Sequence, residues 1–320
     1  MPKVSVIIPT YNTADLIGEA LDSVFAQTFR DFEIIVINDG SPDTPKLERV
    51  LAPYLNRILY LKQENRRASG ARNNGIGHAK GEFLAFLDSD DSWMPEYLDA
   101  QIEQLARRPD LDIVYCDCEI YGTGHQPGKT FMQVCPSRGE VSFESLVRED
   151  CQIPISGTLV RRQLLVDAGL FDETIPMCDD YEMWLRLAYR GARISYHNST
   201  LSRIRTGRPN SLSSSNTRML AALCGILTKV RGEWNLSAEQ ITIVDQKLSL
   251  TRALLELERG KECLERRDYG QARMLLDQAN SYLRRRKLRV VLLALRVAPR
   301  FAAFGARTWN QWIAAKRAAQ

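Results

Sequence analysis

Five short apolar runs, each four or five residues long, recur through the first part of this 320-residue chain. Their β-branched and bulky side chains are typical of strands that are buried on both faces. Apolar residues at helical spacing follow the first four runs. Strand alternating with helix four times over predicts an α/β fold with a doubly wound, mostly parallel sheet. The predicted strands are Val4–Ile8, Glu33–Ile37, Ile58–Leu61, Phe83–Leu87 and Asp112–Cys116.

The remaining sequence divides into regions of different composition. Residues 119–154 are rich in glycine and proline and are predicted to be irregular. Strands are expected at Ser156–Val160 and Arg193–Tyr196, with a helix at Asp179–Tyr189 between them. A predicted loop at Thr206–Ser215 precedes an all-helical C-terminal extension. The expected domains are an α/β domain over 1–215, a helical domain over 216–280 and a basic amphipathic tail over 281–320.

The composition is that of a globular protein with a packed core. Hydrophobic residues make up 44% of the chain, too few for a polytopic membrane protein. The N-terminal stretch MPKVSVIIPTYN lacks the long apolar region of a signal peptide. Seven cysteines at irregular spacing argue against a disulfide framework, and Cys116 and Cys118 have no second pair at zinc spacing. The expected location is therefore the cytoplasm.

Residues 281–320 carry ten Lys/Arg and no Asp/Glu, whereas residues 1–280 carry 33 basic and 39 acidic residues. The apolar stretch Leu288–Ala298 is too short and too charged to span a bilayer, but it could lie in the interface as an amphipathic helix. We therefore predict an anionic membrane surface as the partner of this tail. Packing on the protein itself is the alternative, and nucleic acid is not expected because the tail is as apolar as it is basic. Aromatic residues that favour the headgroup region follow at Phe301, Phe304, Trp309 and Trp312.

Three carboxylates follow the fourth predicted strand, at Asp88, Asp90 and Asp91. Clustered carboxylates repel one another, and a divalent cation would relieve that repulsion. Mn²⁺ or Mg²⁺ takes hard oxygen ligands from one or two protein carboxylates and completes its shell with substrate phosphates. Ligands also bind beyond the carboxyl ends of the strands in open α/β sheets. The alternative is a polar turn that leads into the helix near Pro95.

The residues at the ends of the first two strands suggest a nucleotide site that does not use a glycine-rich phosphate-binding loop. The chain has neither a G-x-G-x-x-G motif nor a Walker A motif, which argues against a dinucleotide dehydrogenase and a P-loop NTPase. The first strand runs instead into Pro9-Thr10-Tyr11-Asn12, and the second ends at Asp39. Tyr11 could stack on a base, and Asp39 could accept a hydrogen bond from a base N–H. Alternatively, Asp39 only closes a turn with Gly40.

The order of these motifs resembles glycosyltransferase family 2, whose members have the GT-A fold. The resemblance covers about residues 3–213. It rests on Pro9-Thr10-Tyr11-Asn12, Val36-Ile37-Asn38-Asp39-Gly40-Ser41, Ala71-Arg72-Asn73-Asn74-Gly75, Phe86-Leu87-Asp88-Ser89-Asp90-Asp91 and Asp179-Asp180-Tyr181.

The resemblance implies a nucleotide-sugar donor, a divalent metal and transfer with inversion at the anomeric carbon. Pro9, Thr10, Tyr11, Asn12 and Asp39 would then bind the nucleoside part of the donor, with Asp39 on the base. Further donor contacts would come from Arg72 and Asn73 beside the diphosphate, from Asp88 at the ribose or the metal, and from Asp90 on the metal itself. Asp91 would brace the turn.

The acidic pair Asp179-Asp180 departs conservatively from the Glu-Asp that this family usually carries before an aromatic residue. The second acid, Asp180, would be the general base, and the start of a helix would keep its carboxylate charged. Without the resemblance, the two acids are better explained as residues that favour a helix N-terminus.

A second departure concerns the stretch after the last strand, where many members carry a histidine. Arg205 stands at that place. Arginine cannot bind a metal, but it can pair bidentately with a phosphate. Arg205 is therefore predicted to contact the donor, and the alternative is a surface arginine.

The sequence therefore predicts a metal-dependent inverting glycosyltransferase that uses a UDP- or dTDP-sugar. Its expected acceptor is a lipid-linked or cell-surface glycan, and its expected place is the cytoplasmic face of a membrane. A sugar-phosphate nucleotidyltransferase and a non-catalytic nucleotide-sugar-binding protein are the alternatives. A nucleotidyltransferase would need a glycine-rich loop after the first strand, and Pro9–Asn12 does not supply one. The intact acids at 88, 90 and 180 argue against a non-catalytic binding protein.

Overall fold

The structure is a computed structural model that describes residues 1–123, 128–208 and 215–297. The chain divides into two compact units between residues 214 and 215. The first unit is built around an eight-stranded sheet in the order β3-β2-β1-β4-β7-β6-β8-β5. Its strands are β1 Val4–Thr10, β2 Phe32–Asp39, β3 Leu59–Gln63, β4 Phe83–Phe86, β5 Ser92–Trp93, β6 Ile113–Gly122, β7 Thr158–Arg161 and β8 Ile194–Thr206.

The sheet is mostly parallel, as predicted. Strands β1, β2, β3 and β4 pair in parallel, and so do β6 and β8. Strand β7 lies between β4 and β6 and is antiparallel to both. The fifth predicted strand, β6, therefore does not pair directly with β4. Antiparallel neighbours need no crossover over a face of the sheet, so β7 can lie directly beside β6, the strand before it in this pair.

Helices cover both faces of this sheet, which explains why its strands are continuous apolar runs. Val4, Val6 and Ile8 of β1 belong to a core that also contains apolar residues of three helices, α1, α2 and α4. The helices of this unit are α1 Ile17–Phe25, α2 Thr44–Leu51, α3 Arg67–His78, α4 Tyr97–Arg107, α5 Phe131–Val134, α6 Phe143–Arg148, α7 Arg162–Ala168 and α8 Asp179–Tyr189.

The region 119–154 is more regular than its composition predicts. Strand β6 continues to Gly122, and the short helices α5 and α6 follow. Thr130 and Ser142 each cap one of these helices, and the third helical residue of each returns a side-chain bond to the cap. The sequence did not predict these helices, because four to six residues are too few to show a periodic pattern among the glycines and prolines.

Helix α3 lies unusually close to the opposite face of the sheet, on the side of Ile7 and Ile37. A Cβ atom added at Gly75 would be 2.7 Å from Ile7 Cγ2 and 2.9 Å from Ile37 Cδ1. Only glycine allows this approach without repacking the two isoleucines. A Cβ atom added at Gly77, two residues further along the helix, would meet nothing within 4 Å.

Over residues 215–297 the second unit is built of helices, as predicted. It contains α9 Asn216–Glu233, α10 Ala238–Glu265, α11 Tyr269–Leu283 and α12 Arg286–Val297. Leu288, Leu292 and Leu295 of α12 are buried in one core with residues of α10 and α11. Helix α12 is therefore part of this helical unit. The predicted separate tail over 281–320 is thus joined to the helical unit as far as residue 297.

The outward side of α12 carries a mixed basic and apolar surface. Val290, Leu293 and Val297 are 68%, 62% and 79% exposed, and Arg289 and Arg296 are exposed beside them. Packing of α12 buries Leu295 and leaves Leu293 exposed. The aromatic residues Phe301, Phe304, Trp309 and Trp312 lie outside the described residues. Within those residues, every helix is too short or too polar to cross a bilayer.

The close approach of α3 predicts opposite effects for two neighbouring glycines. Gly75→Ala is expected to lower the free energy of unfolding by about 1–3 kcal/mol, because the methyl group overpacks the core beside Ile7 and Ile37. Gly77→Ala is the matched control and is expected to raise it by about 0.5–1 kcal/mol, because alanine has the higher helix propensity. Urea denaturation measures both. Equal stabilisation by the two substitutions would show that α3 does not lie against the sheet in this way.

Candidate active site

The site is formed by the carboxyl ends of β1, β2 and β4 together with the start of α8. The segment after β1 is attached to the loop after β2 by two hydrogen bonds. The backbone N–H of Asn12 donates to Ser41 Oγ over 2.7 Å, and that of Ala14 donates to Asp43 Oδ2 over 2.9 Å. Thr10 is buried, whereas Tyr11 is 50% exposed. Of the residues predicted to bind the nucleoside, Tyr11 and Asn12 are therefore the exposed ones.

Asp39, at the end of β2, is buried and held in one orientation. Its Oδ1 accepts hydrogen bonds from Gln63 Nε2 over 2.7 Å and from the backbone N–H of Arg66 over 2.8 Å. No described residue donates to Oδ2. Gly40 follows with a φ of +64°, and a Cβ there would lie 2.8 Å from the backbone N of Asn65. Asp39 and Gly40 therefore form a turn, and the two hydrogen bonds fix the orientation of the Asp39 carboxylate.

A buried arginine joins the two acidic motifs. Arg72 Nη2 donates to Asp88 Oδ1 over 2.9 Å, and its Nη1 donates to Asp179 Oδ2 over 2.8 Å. Arg72 is 4% exposed, and the close packing of α3 brings it to this position. The carboxylates that follow β4 and those that begin α8 thus form one charged cluster, although about ninety residues separate them in the sequence.

Asp90 and Asp91 have different surroundings. Asp91 is buried and accepts hydrogen bonds from Ser156 Oγ over 2.7 Å and from the backbone N–H of Arg205 over 2.8 Å. It braces the turn, as the sequence suggested. Asp90 forms an ion pair with Arg208, in which Nη1 and Oδ2 are 2.6 Å apart. Burial and the neighbouring Asp88 raise the pKa of Asp90, and the Arg208 guanidinium opposes that shift.

Asp180 lies in the first turn of α8, beside Asp179. Burial raises its pKa to about 6, the charge of Asp179 adds to the shift, and Arg72 opposes it. Its Oδ1 accepts a hydrogen bond from the backbone N–H of Tyr181 over 2.9 Å. A carboxyl with this pKa is ionised at neutral pH and can still accept a proton, which suits a general base.

Two of the predicted donor contacts have protein partners here. The side-chain amide of Asn73 donates to the carbonyl of Phe171 over 2.9 Å and accepts from the backbone N–H of the same residue over 2.9 Å. It therefore links α3 to the segment before α8. Arg205 pairs with Glu19, donates to the carbonyl of Asp90 over 3.1 Å and lies 4.5 Å from the centre of the Tyr121 ring. Their predicted contacts with a donor stay predictions.

Arg208 is a site residue that sequence reasoning missed. It lies in the stretch predicted as a loop, three residues after Arg205, where its side chain carries no pattern. A second basic residue three positions after Arg205 was the available signal.

Comparison with known proteins places this site in a family. A model described as "Glycosyl transferase family 2" matches residues 5–155. The chain is 32% identical over 185 residues to an Escherichia coli protein named UDP-Glc:alpha-D-GlcNAc-diphosphoundecaprenol beta-1,3-glucosyltransferase WfgD, of which it covers 69%. The chain belongs to glycosyl transferase family 2. The resemblance seen in the motifs is thereby confirmed, and so is the prediction of a glycosyltransferase at the level of the family.

This chain covers a smaller share of other relatives. It is 35% identical over 195 residues, or 58% of each protein, to an uncharacterized glycosyltransferase of Rickettsia typhi. It is 32% identical over 214 residues to one of Rickettsia felis, of which it spans 34%. Curated relatives of this kind therefore extend well beyond the matched region.

Solved structures confirm the GT-A-type fold. TarS 1-349 of S. aureus in complex with UDP-GlcNAc superposes with a TM-score of 0.62 at 21% identity, over 92% of this chain and 87% of that one. A mannosyltransferase of Pyrobaculum calidifontis, PcManGT, in complex with GDP-Man and Mn²⁺, superposes with a TM-score of 0.60 at 21% identity, over 97% and 88%.

The charged cluster predicts how Asp180 titrates. Arg72→Gln is expected to raise the pKa of Asp180 above about 6, because the guanidinium that favours its ionised form is removed. Arg72→Lys keeps the positive charge and should keep the pKa closer to that of the wild type. Carboxyl ¹³C NMR from about pH 4 to about pH 9, ~2 pH units below that value and ~3 above it, measures the pKa. Arg66→Gln, which removes the ion pair with Glu173, is the control. An unchanged pKa in Arg72→Gln would contradict the electrostatic link.

Proposed function

We propose that the chain is a metal-dependent inverting glycosyltransferase that moves a sugar from a nucleotide-sugar donor to an acceptor hydroxyl. The single observation that carries this proposal is the Arg72 bridge between Asp88 and Asp179. It brings the carboxylates suited to a metal–diphosphate unit next to a carboxylate suited to proton removal. Sugar transfer needs these two groups on opposite sides of one anomeric carbon.

The donor would lie along the carboxyl edge of the sheet. Asp39 Oδ2 has no donor among the described residues, so it can accept a hydrogen bond from a base N–H. The exposed ring of Tyr11 can stack on that base. The solved relatives that carry UDP-GlcNAc or GDP-Man support a nucleotide-sugar of this class. We propose a UDP- or dTDP-sugar for this chain.

The residues present fit a divalent cation. Within residues 1–123, 128–208 and 215–297, no group of three or more His, Cys, Asp or Glu side chains is placed to hold one. Asp88 and Asp90 are close enough for their charges to interact, and Mn²⁺ or Mg²⁺ can be held by two carboxylates together with substrate phosphates. Such a cation would neutralise the charge that develops on the leaving diphosphate. The Mn²⁺ in the Pyrobaculum complex supports its use here.

Asp180 would act as the general base. The acceptor hydroxyl would attack the anomeric carbon from the face opposite the nucleoside diphosphate, and its proton would pass to Asp180 Oδ2. The bond between the anomeric carbon and the diphosphate oxygen breaks in the same step, which inverts the configuration. Arg72 would hold Asp179 and thereby the first turn of α8, which carries the base.

The acceptor is proposed to be a lipid-linked or cell-surface glycan. The Escherichia coli relative is named for a glucosyl transfer to a diphosphoundecaprenol-linked sugar. A membrane-bound acceptor also fits the basic and apolar outer face of α12. We propose that this face, with Val290, Leu293 and the arginines beside them, contacts an anionic leaflet from the cytoplasmic side.

The catalytic proposal predicts slow hydrolysis of a UDP- or dTDP-sugar in the presence of Mn²⁺, with turnover that rises as the pH increases through about 6. Asp180→Asn should lose about 10²–10⁴-fold in kcat with little change in KM for the donor, because the amide cannot accept a proton. Asp179→Asn should be milder. Coupled detection of the released nucleotide measures both. The reverse ranking would move the base to Asp179, and a product with retained anomeric configuration would overturn the inverting mechanism.

The membrane proposal predicts that the full chain floats with vesicles of phosphatidylcholine and phosphatidylglycerol, and less so at high salt. Leu293→Glu should reduce the floating fraction, because a carboxylate then faces an anionic leaflet. Met274→Glu, at a position 48% exposed on α11, is the matched control and should float as the wild type does. Equal flotation of the two variants would exclude the outer face of α12 as the contact. Ending the chain before α12 is a poorer test, since it would expose the core that Leu288 and Leu292 complete.

A further inference from the structure

Arg208 pairs with Asp90, a carboxylate that the proposed metal ion would need. Its Nη1 is 2.6 Å from Asp90 Oδ2, and its Nη2 donates to the backbone carbonyl of Asn12 over 3.3 Å. The guanidinium thus bridges the carboxylate motif after β4 and the predicted donor-binding segment after β1. The Arg208 side chain is 24% exposed and the Asp90 side chain 20% exposed, so the pair is partly shielded from water but remains accessible.

The other arginines near the acidic motifs have different partners. Arg72 is held by Asp88 and Asp179, and Arg205 pairs with Glu19. Among the residues that the structure describes, Arg208 is therefore the side chain that balances the charge of Asp90. A divalent cation on Asp90 would compete with this guanidinium, because two positive groups at contact distance repel each other and arginine has no lone pair to offer the metal.

We infer that Arg208 is a displaceable counter-ion, which holds Asp90 in the donor-free enzyme, yields it to the metal and then pairs with the donor diphosphate. The inference rests on the metal and diphosphate site proposed above. A planar guanidinium can exchange a carboxylate for a phosphate without losing bidentate geometry. The position of Arg208 between Asp90 and Asn12 keeps it beside the expected path of the diphosphate.

This exchange makes metal and diphosphate binding cooperative. Metal alone must displace Arg208 and leaves the guanidinium without a new anionic partner. Metal with diphosphate supplies a new anionic partner for the released guanidinium. Arg208 would thereby favour the complete metal–donor unit over the bare cation, a distinction that Asp88 and Asp90 cannot make by themselves.

The test measures two affinities for each variant by isothermal titration calorimetry at pH 8, one for Mn²⁺ alone and one for the Mn²⁺–pyrophosphate complex. Arg208→Gln is expected to bind Mn²⁺ alone about three- to fivefold more tightly, the change expected when a partly exposed ion pair no longer competes. It should also lose at least about fivefold of the preference for Mn²⁺–pyrophosphate over Mn²⁺. Arg208→Lys should bind Mn²⁺ alone as the wild type does, but should lose part of that preference because it cannot pair bidentately.

Arg203→Gln is the matched control, since Arg203 lies on β8, five residues before Arg208, and pairs with Glu119. It should leave both affinities unchanged, and thermal melting of each variant checks that it is folded. Equal Mn²⁺ affinity in Arg208→Gln and the wild type would overturn the counter-ion role. A tighter Mn²⁺ affinity with an unchanged preference for the pyrophosphate complex would overturn the exchange to phosphate. Failure of the wild type to bind Mn²⁺, with or without pyrophosphate, would overturn the proposed metal site together with this inference.

Discussion

The buried Arg72 guanidinium is the interaction on which the geometry of the site depends. It reaches Asp88 after β4 and Asp179 at the start of α8, and both bonds are shorter than 3 Å. Removing one partner of a buried ion pair is strongly unfavourable, because the remaining charge stays desolvated. The two acidic motifs therefore keep a constant relation to each other. That relation in turn needs α3 to lie against the sheet, which the absence of a side chain at Gly75 permits.

Two arginines divide the charge of the site between them. Arg72 is buried and has two carboxylate partners, so it is part of the fixed framework. Arg208 is partly exposed and has one, so it can leave at a much lower cost in desolvation. The framework pair sets where the carboxylates lie, and the exchangeable pair sets what they bind. This division explains how one small region can be preorganised and still accept a highly charged donor.

The helical unit shows how one amphipathic helix can serve two surfaces. Leu288, Leu292 and Leu295 of α12 complete a core with α10 and α11. Val290 and Leu293 remain outside that core among exposed arginines. The helix is apolar on more than one side, and a sequence pattern alone cannot say which side packs on protein. Packing on α10 and α11 selected one side and left the other available.

The sequence by itself determined the alternation of strands and helices up to β6, the edge of the sheet that carries the candidate site, and the family. These depend on short apolar runs and on residues directly after them, such as Asp39, Asp88 and Asp90, whose place follows from the strand before them. The tertiary structure decided the insertion of β7 between β4 and β6 and the partners of the long side chains. The ion pair between Arg208 and Asp90 joins residues 118 positions apart. A guanidinium can reach several carboxylates from one place on the chain, and only the packed fold selects among them.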